Sequence, residues 1–75
     1  MYMLLSGKYK GKYLGKTICG FVHGFEYELE LSNNGMTYCV KAYKDITMDT
    51  NVKLSLAYTS EENVLKTWQL ERISY

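Results

Sequence analysis

Three glycines set four apart, Gly7, Gly11 and Gly15, are each followed by lysine, and they give the segment GKYKGKYLGKT the first claim to chemistry. Glycine-rich turns ending in lysine cradle phosphates, because bare backbone N–H groups and an ammonium converge on the anion. Here the spacing fails. Gly11 to Thr17 is one residue short of the phosphate-loop pattern, and no helical pattern follows whose N-terminus would face the phosphate. The plainer reading is a glycine-loosened first strand or arm with its lysines in solvent. A third reading keeps a ligand: Lys8, Lys10, Lys12 and Lys16 supply cations to a nucleic acid or nucleotide, and Tyr9 or Tyr13 stacks on a base.

Cys19 and His23, with Cys39 further on, are residue types that bind zinc. A structural zinc takes four ligands, whereas this set supplies three and has no CxxC pair, so neither metal nor cofactor is expected. The same residues fail as a catalytic set. A nucleophile needs a base and an orienting group within hydrogen-bond reach, and the acids nearest in sequence, Glu26, Glu28 and Glu30, alternate onto the solvent side of a hairpin. The expectation is a protein that is not an enzyme.

The elements that position these residues centre on residues 25–44, FEYELELSNNGMTYCVKAYK. Asn34-Gly35 suits a type I′ turn, in which both central residues take φ > 0. Such a turn places Leu31 opposite Tyr38, Leu29 opposite Val40 and Tyr27 opposite Ala42 on an apolar face. Glu30 then meets Cys39, and Glu28 meets Lys41, on a polar one. Ahead of the hairpin, Gly20 and Gly24 frame Phe21 and Val22 and mark a bend or bulge. Behind it, Tyr43 to Met48 reads as extended or bent, and Asp49-Thr50-Asn51 supplies turn chemistry. Val52, Leu54, Leu56 and Tyr58 then alternate with polar or small residues as a half-buried strand. Ser60 followed by Glu61 and Glu62 reads as a helix N-cap opening one turn of α or 3₁₀ helix over residues 60–66. A last strand over residues 67–73 points Trp68 and Leu70 to one face and Gln69 and Glu71 to the other, with Trp68 as a core anchor.

A chain of 75 residues without proline and with eight tyrosines allows one domain and one small, strand-built core. Residues 1–12 form a basic arm or first strand, and residues 13–75 form a barrel. The formal charge of +1 is uneven: residues 1–25 hold four lysines and no acid, and the remainder is acid-rich, which predicts an electrically two-sided molecule. The apolar run over residues 1–5 is too short for a signal or membrane segment. A soluble, cytoplasmic protein with free Cys19 and Cys39 is therefore expected, with no membrane partner.

Four to six short strands with one helical turn before the last describe an all-β fold, a small closed barrel of the SH3-like kind. Gly15-Lys16-Thr17, the run Gly20 to Gly24 leading to Tyr27, Tyr58-Thr59-Ser60 and the late Trp68 are similar to small SH3-like proteins of Gram-positive bacteria and their phages. That resemblance covers most of residues 13–73. It implies a fold and a phage or mobile-element setting, and it assigns no site residues.

Two functions fit these observations. In the first, the domain is a non-enzymatic module that binds a protein partner, such as a host factor that it modulates, through Tyr9, Tyr13, Tyr43 and Tyr75. In the second, Lys8, Lys10, Lys12 and Lys16 hold a phosphate-bearing ligand, whether nucleic acid or a nucleotide signal. Near-neutral net charge favours the first, because a committed nucleic-acid binder is strongly basic. The small core also predicts a homo-oligomer.

Overall fold

The computed structural model describes residues 6–74. Its elements run β1 (Gly7–Tyr13), β2 (Glu26–Asn33), β3 (Tyr38–Asp45), β4 (Thr50–Tyr58), α1 (Glu61–Thr67) and β5 (Trp68–Ser74). They build one antiparallel sheet in the order β4-β3-β2-β1-β5. Four strands thus form a meander, and the fifth returns beside the first. Of the two alternatives for the N-terminal segment, residues 7–12 take the strand, an inner one between β2 and β5, and the proposed boundary after residue 12 falls inside β1. No helix among the described residues is long and apolar enough to cross a membrane.

Period-two alternation decides what the sheet buries. Tyr9, Tyr13, Tyr27, Leu29, Leu31, Val40, Ala42 and Trp68 point to one face and are buried there, joined by Val64 of α1 and Phe21 of the β1–β2 connection. The rings of Tyr13, Phe21, Tyr27 and Trp68 form one cluster with centroids 5.0–5.9 Å apart in tilted or edge-on pairs. Edge-on geometry suits the ring quadrupoles. Each polar ring atom also finds a partner: Tyr13 Oη donates to Lys16 O, Tyr27 Oη accepts from Val22 N, and Trp68 Nε1 donates to Tyr58 Oη.

This cluster needs a gap in β1, and Gly11 provides it. A Cβ on Gly11 would stand 2.8 Å from Trp68 Cε3 and 3.0 Å from Leu70 Cδ2, closer than van der Waals contact allows. The glycine repeat therefore serves packing at this position: the indole lies directly over the backbone of β1.

The helix forms where Ser60 caps it. Ser60 Oγ accepts from Asn63 N at 3.2 Å, Glu61 and Glu62 sit in the first turn, and Lys66 sits in the last, each charge favourable to the helix dipole. As the sequence predicts, Trp68 and Leu70 turn inward from β5 while Gln69 and Glu71 are exposed.

Three expectations are corrected. The β2–β3 register lies two residues from the predicted one: Leu31 pairs with Val40, Leu29 with Ala42, Glu30 with Lys41 and Asn33 with Tyr38. Asn34 does not take positive φ, so no type I′ turn forms at Asn34-Gly35. Instead Asn34 Oδ1 accepts from Met36 N, Thr37 N and Thr37 Oγ1, organising a four-residue loop. A two-residue shift preserves parity, which is why the predicted faces survive the wrong register. The type I′ φ signs occur at Cys19 (+55°) and Gly20 (+90°), where Ile18 and Phe21 exchange two backbone hydrogen bonds. That turn delivers Phe21 to the core. The second correction concerns the β3–β4 turn, which occupies residues 46–49, held by Met48 N donating to Asp45 Oδ1, so Thr50 and Asn51 already belong to β4.

The third correction concerns closure. The sheet is not closed into a barrel: β4 and β5 remain its two edges. What joins the end of β4 to the start of β5 is the side-chain hydrogen bond from Trp68 to Tyr58, at 2.9 Å, because α1 intervenes between them and β5 gives its ladder to β1.

Candidate interaction surface

The face opposite the core carries most of the charge. Lys8, Lys10 and Lys12 of β1 stand opposite Glu30, Glu28 and Glu26 of β2. On the other flank Lys10 stands opposite Glu71, and beyond β2 the sign alternates again, with Glu30 opposite Lys41 and Glu28 opposite Lys44. Rows of opposite sign interleave, so the predicted two-sided molecule is not formed. The acids that look remote in sequence are the lysines' nearest cross-strand neighbours. Lys10 Nζ and Glu26 Oε1 are 3.8 Å apart, and pairs so exposed contribute at most about 1 kcal/mol each.

Within this lattice the sequence-predicted residues separate sharply. Tyr9 and Tyr13 are 5% and 2% exposed, with Tyr9 Oη accepting from Arg72 Nη1, so neither ring can stack on a base or meet a partner's surface. Both are corrected from ligand contacts to core. Their alternation with lysine is that of an inner strand, half of which faces the interior. Lys8, Lys12 and Lys16 are exposed and Lys10 half-buried, Lys16 in the loop after β1. Tyr75 lies outside the described residues.

Among the described residues, Tyr43 is the predicted contact residue that reaches the surface, at 38% exposure, on the outer face that alternation with Val40 and Ala42 assigns it. Ala42 pairs with Leu29 and Lys44 with Glu28, consecutive residues of β2, which leaves Tyr43 as the additional residue of a β-bulge against β2; on the other flank Val52 and Lys53 together face Tyr43, so there the additional residue belongs to β4. A bulge re-aims the side chain it carries and frequently marks a functional position. Lys8 Nζ lies 5.8 Å from the centre of the Tyr43 ring, within cation–π range. Partial burial, then the negative charge of Glu28 and a hydrogen bond to its carboxylate, then the charge of Glu30, hold the Tyr43 hydroxyl above the ordinary tyrosine range. A shallow depression of ≈ 420 Å³ opens beside it, lined by Glu30, Lys41, Tyr43, Val52, Lys53 and Leu54 among others. In the sequence Lys41 and Lys53 read only as polar positions of alternating strands, with nothing to mark them as lining one depression.

The zinc trio is not gathered: among the described residues no three His, Cys, Asp or Glu side chains are placed to hold a metal ion. His23 is a loop tie. Its Nδ1 lies 3.0 Å from Gly15 O, which as a carbonyl can only accept, so the hydrogen bond requires the Nδ1–H tautomer. Its backbone N donates to Thr17 Oγ1. Of the apolar residues beside it, Phe21 is buried, Val22 half-buried and Ile18 52% exposed.

No family model, curated protein or solved structure matches this chain.

Proposed function

We propose that the chain is a small non-enzymatic binding module that acts through protein–protein contacts centred on Tyr43. The observation that carries this reading is Tyr43 itself, exposed on the outer face at a bulge against β2 and surrounded by side chains of both charges. Tyrosine gives broad contact area at low entropy cost, and interleaved lysines and glutamates match a polar protein surface with complementary charges. The resemblance to small SH3-like proteins of Gram-positive bacteria and their phages gives the setting: a cytoplasmic phage or mobile-element protein that modulates a host factor. The strand order and the single helix before the last strand support the SH3-like kinship. A phosphate-bearing ligand is the weaker reading, because a polyanion that meets Lys8, Lys10 and Lys12 also meets the carboxylates opposite them.

Native mass spectrometry of the protein, purified at low salt from its own host cells, tests this. A retained host polypeptide that disappears in Tyr43→Ala, while the melting curve stays unchanged, supports the module. A nucleotide or oligonucleotide adduct that is lost as salt rises, and is indifferent to Tyr43→Ala, overturns it in favour of the phosphate ligand.

A further inference from the structure

The edge formed by β4 is open. Thr50–Tyr58 is the longest strand in the sheet, and it pairs with β3 alone. Its inward row, Val52, Leu54, Leu56 and Tyr58, packs against the core and yet stays half-exposed, because no further strand lies beyond it. Ile18, more than half exposed, extends this apolar rim from the neighbouring turn, where the backbone of Gly20 lies against Leu54. Among the nine residues of β4 the only charge is Lys53. Its guards, that lysine and the bulge at Val52 and Lys53, are confined to one point of the strand, and edges so lightly guarded take up another strand.

We propose that the occupant is a second copy of this chain, paired β4 to β4 antiparallel about a two-fold axis at Leu54. The strand is self-complementary in that register. Leu54 is its central residue, so pairing about it uses all nine positions. Val52 then meets Leu56 of the second copy, and the two apolar rims join into one row on the core side. On the outer face Lys53 meets Ser55 of the second copy, so no two like charges oppose each other. The pairing is isologous and closes at two subunits, giving one ten-stranded sheet without open-ended growth. β5, the other edge, carries Glu71 and Arg72 and offers no such pattern. The dimer would also set two Tyr43 sites on one continuous outer surface, about three strand spacings or ~14 Å apart across the strands and about three residues or ~10 Å apart along them. A single strand pair buries less than a standard interface, so the association is weak, on the order of micromolar. This inference is independent of the identity of any partner at Tyr43.

Charge at position 55 tests the register, since that side chain is exposed on the outer face. Sedimentation equilibrium over a wide concentration range should show wild-type chain in monomer–dimer exchange. Ser55→Glu, which sets a carboxylate opposite Lys53 of the second copy twice per dimer, should tighten dimerisation about tenfold. Ser55→Lys should weaken it by about as much. Melting curves of both variants at low concentration account for any change in the monomer through Lys41, the β3 neighbour of Ser55. Monomer at every concentration, growth beyond dimer, or weakening by Ser55→Glu as well as Ser55→Lys would each overturn the proposal. The last of these would place Ser55 opposite its own copy.

Discussion

Replacing Gly11 with alanine adds one methyl group, and the structure states what that methyl meets. It would stand 2.8 Å from Trp68 Cε3, 3.0 Å from Leu70 Cδ2 and 3.2 Å from Leu29 Cδ2. The indole cannot retreat easily, because it packs against Tyr13, Phe21 and Tyr27 and donates to Tyr58. Overpacking of a dense core costs roughly 1–3 kcal/mol. Against this, alanine in a strand recovers roughly 0.5–1 kcal/mol of the entropy penalty of glycine. The net expectation is a loss of about 1–2 kcal/mol, read as a shifted urea midpoint at constant slope by circular dichroism. A thermodynamic cycle sharpens the attribution. In a Trp68→Phe background the benzo ring that bears Cε3 is gone, so Gly11→Ala should cost about 1 kcal/mol less than in the wild type. If Gly11→Ala were neutral or stabilising, or if its cost did not change with Trp68→Phe, the packing account of the glycine repeat would be wrong.

Two further predictions follow from backbone and burial. Cys19 holds φ at +55° in the turn that delivers Phe21, a conformation asparagine accepts and β-branched residues resist. Cys19→Asn should therefore raise stability by roughly 0.5–1 kcal/mol and Cys19→Val lower it by roughly 1–2 kcal/mol in thermal unfolding; the reverse order would contradict the turn assignment. Burial, above all other causes, holds the hydroxyls of Tyr13, Tyr27 and Tyr58 above the ordinary tyrosine value. Below pH of about 10 folded and unfolded chains both keep these protons; above it the unfolded chain releases them first, so stability should fall steadily as pH rises from there. Urea midpoints from pH 9 to pH 11 with phenolate absorbance check this, and a midpoint flat or rising across that window would refute it.

How much of this was legible in the sequence depends on which physical signal each residue carried. Trp68, Leu70 and the β4 row were readable because period-two alternation alone decides their face, and Ser60 because a cap is a local event. The β2–β3 pairing was readable in parity but not in register, since Asn34 spent its side chain on organising a longer loop. Tyr9 and Tyr13 were misassigned because alternating Tyr and Lys look the same on an arm and on an inner strand. Only the return of β5 to the far side of β1 settles their burial, and that is a long-range fact. The same return, with the β1–β2 register, brings sequence-remote lysines and glutamates into opposition. The bulge at Tyr43 left no mark beyond a break in alternation, with Ala42 and Asp45 buried three residues apart.

A photoreactive aromatic residue placed at position 43 in the cell asks whether Tyr43 is the contact point for a protein partner. A control carries the same residue at position 36, which is 84% exposed in the β2–β3 loop, seven residues earlier in the chain. The expected result is one discrete polypeptide crosslinked from position 43, retained at high salt and absent from position 36. Equal crosslinking from both positions, or none from position 43 with nucleic acid recovered instead, would contradict it.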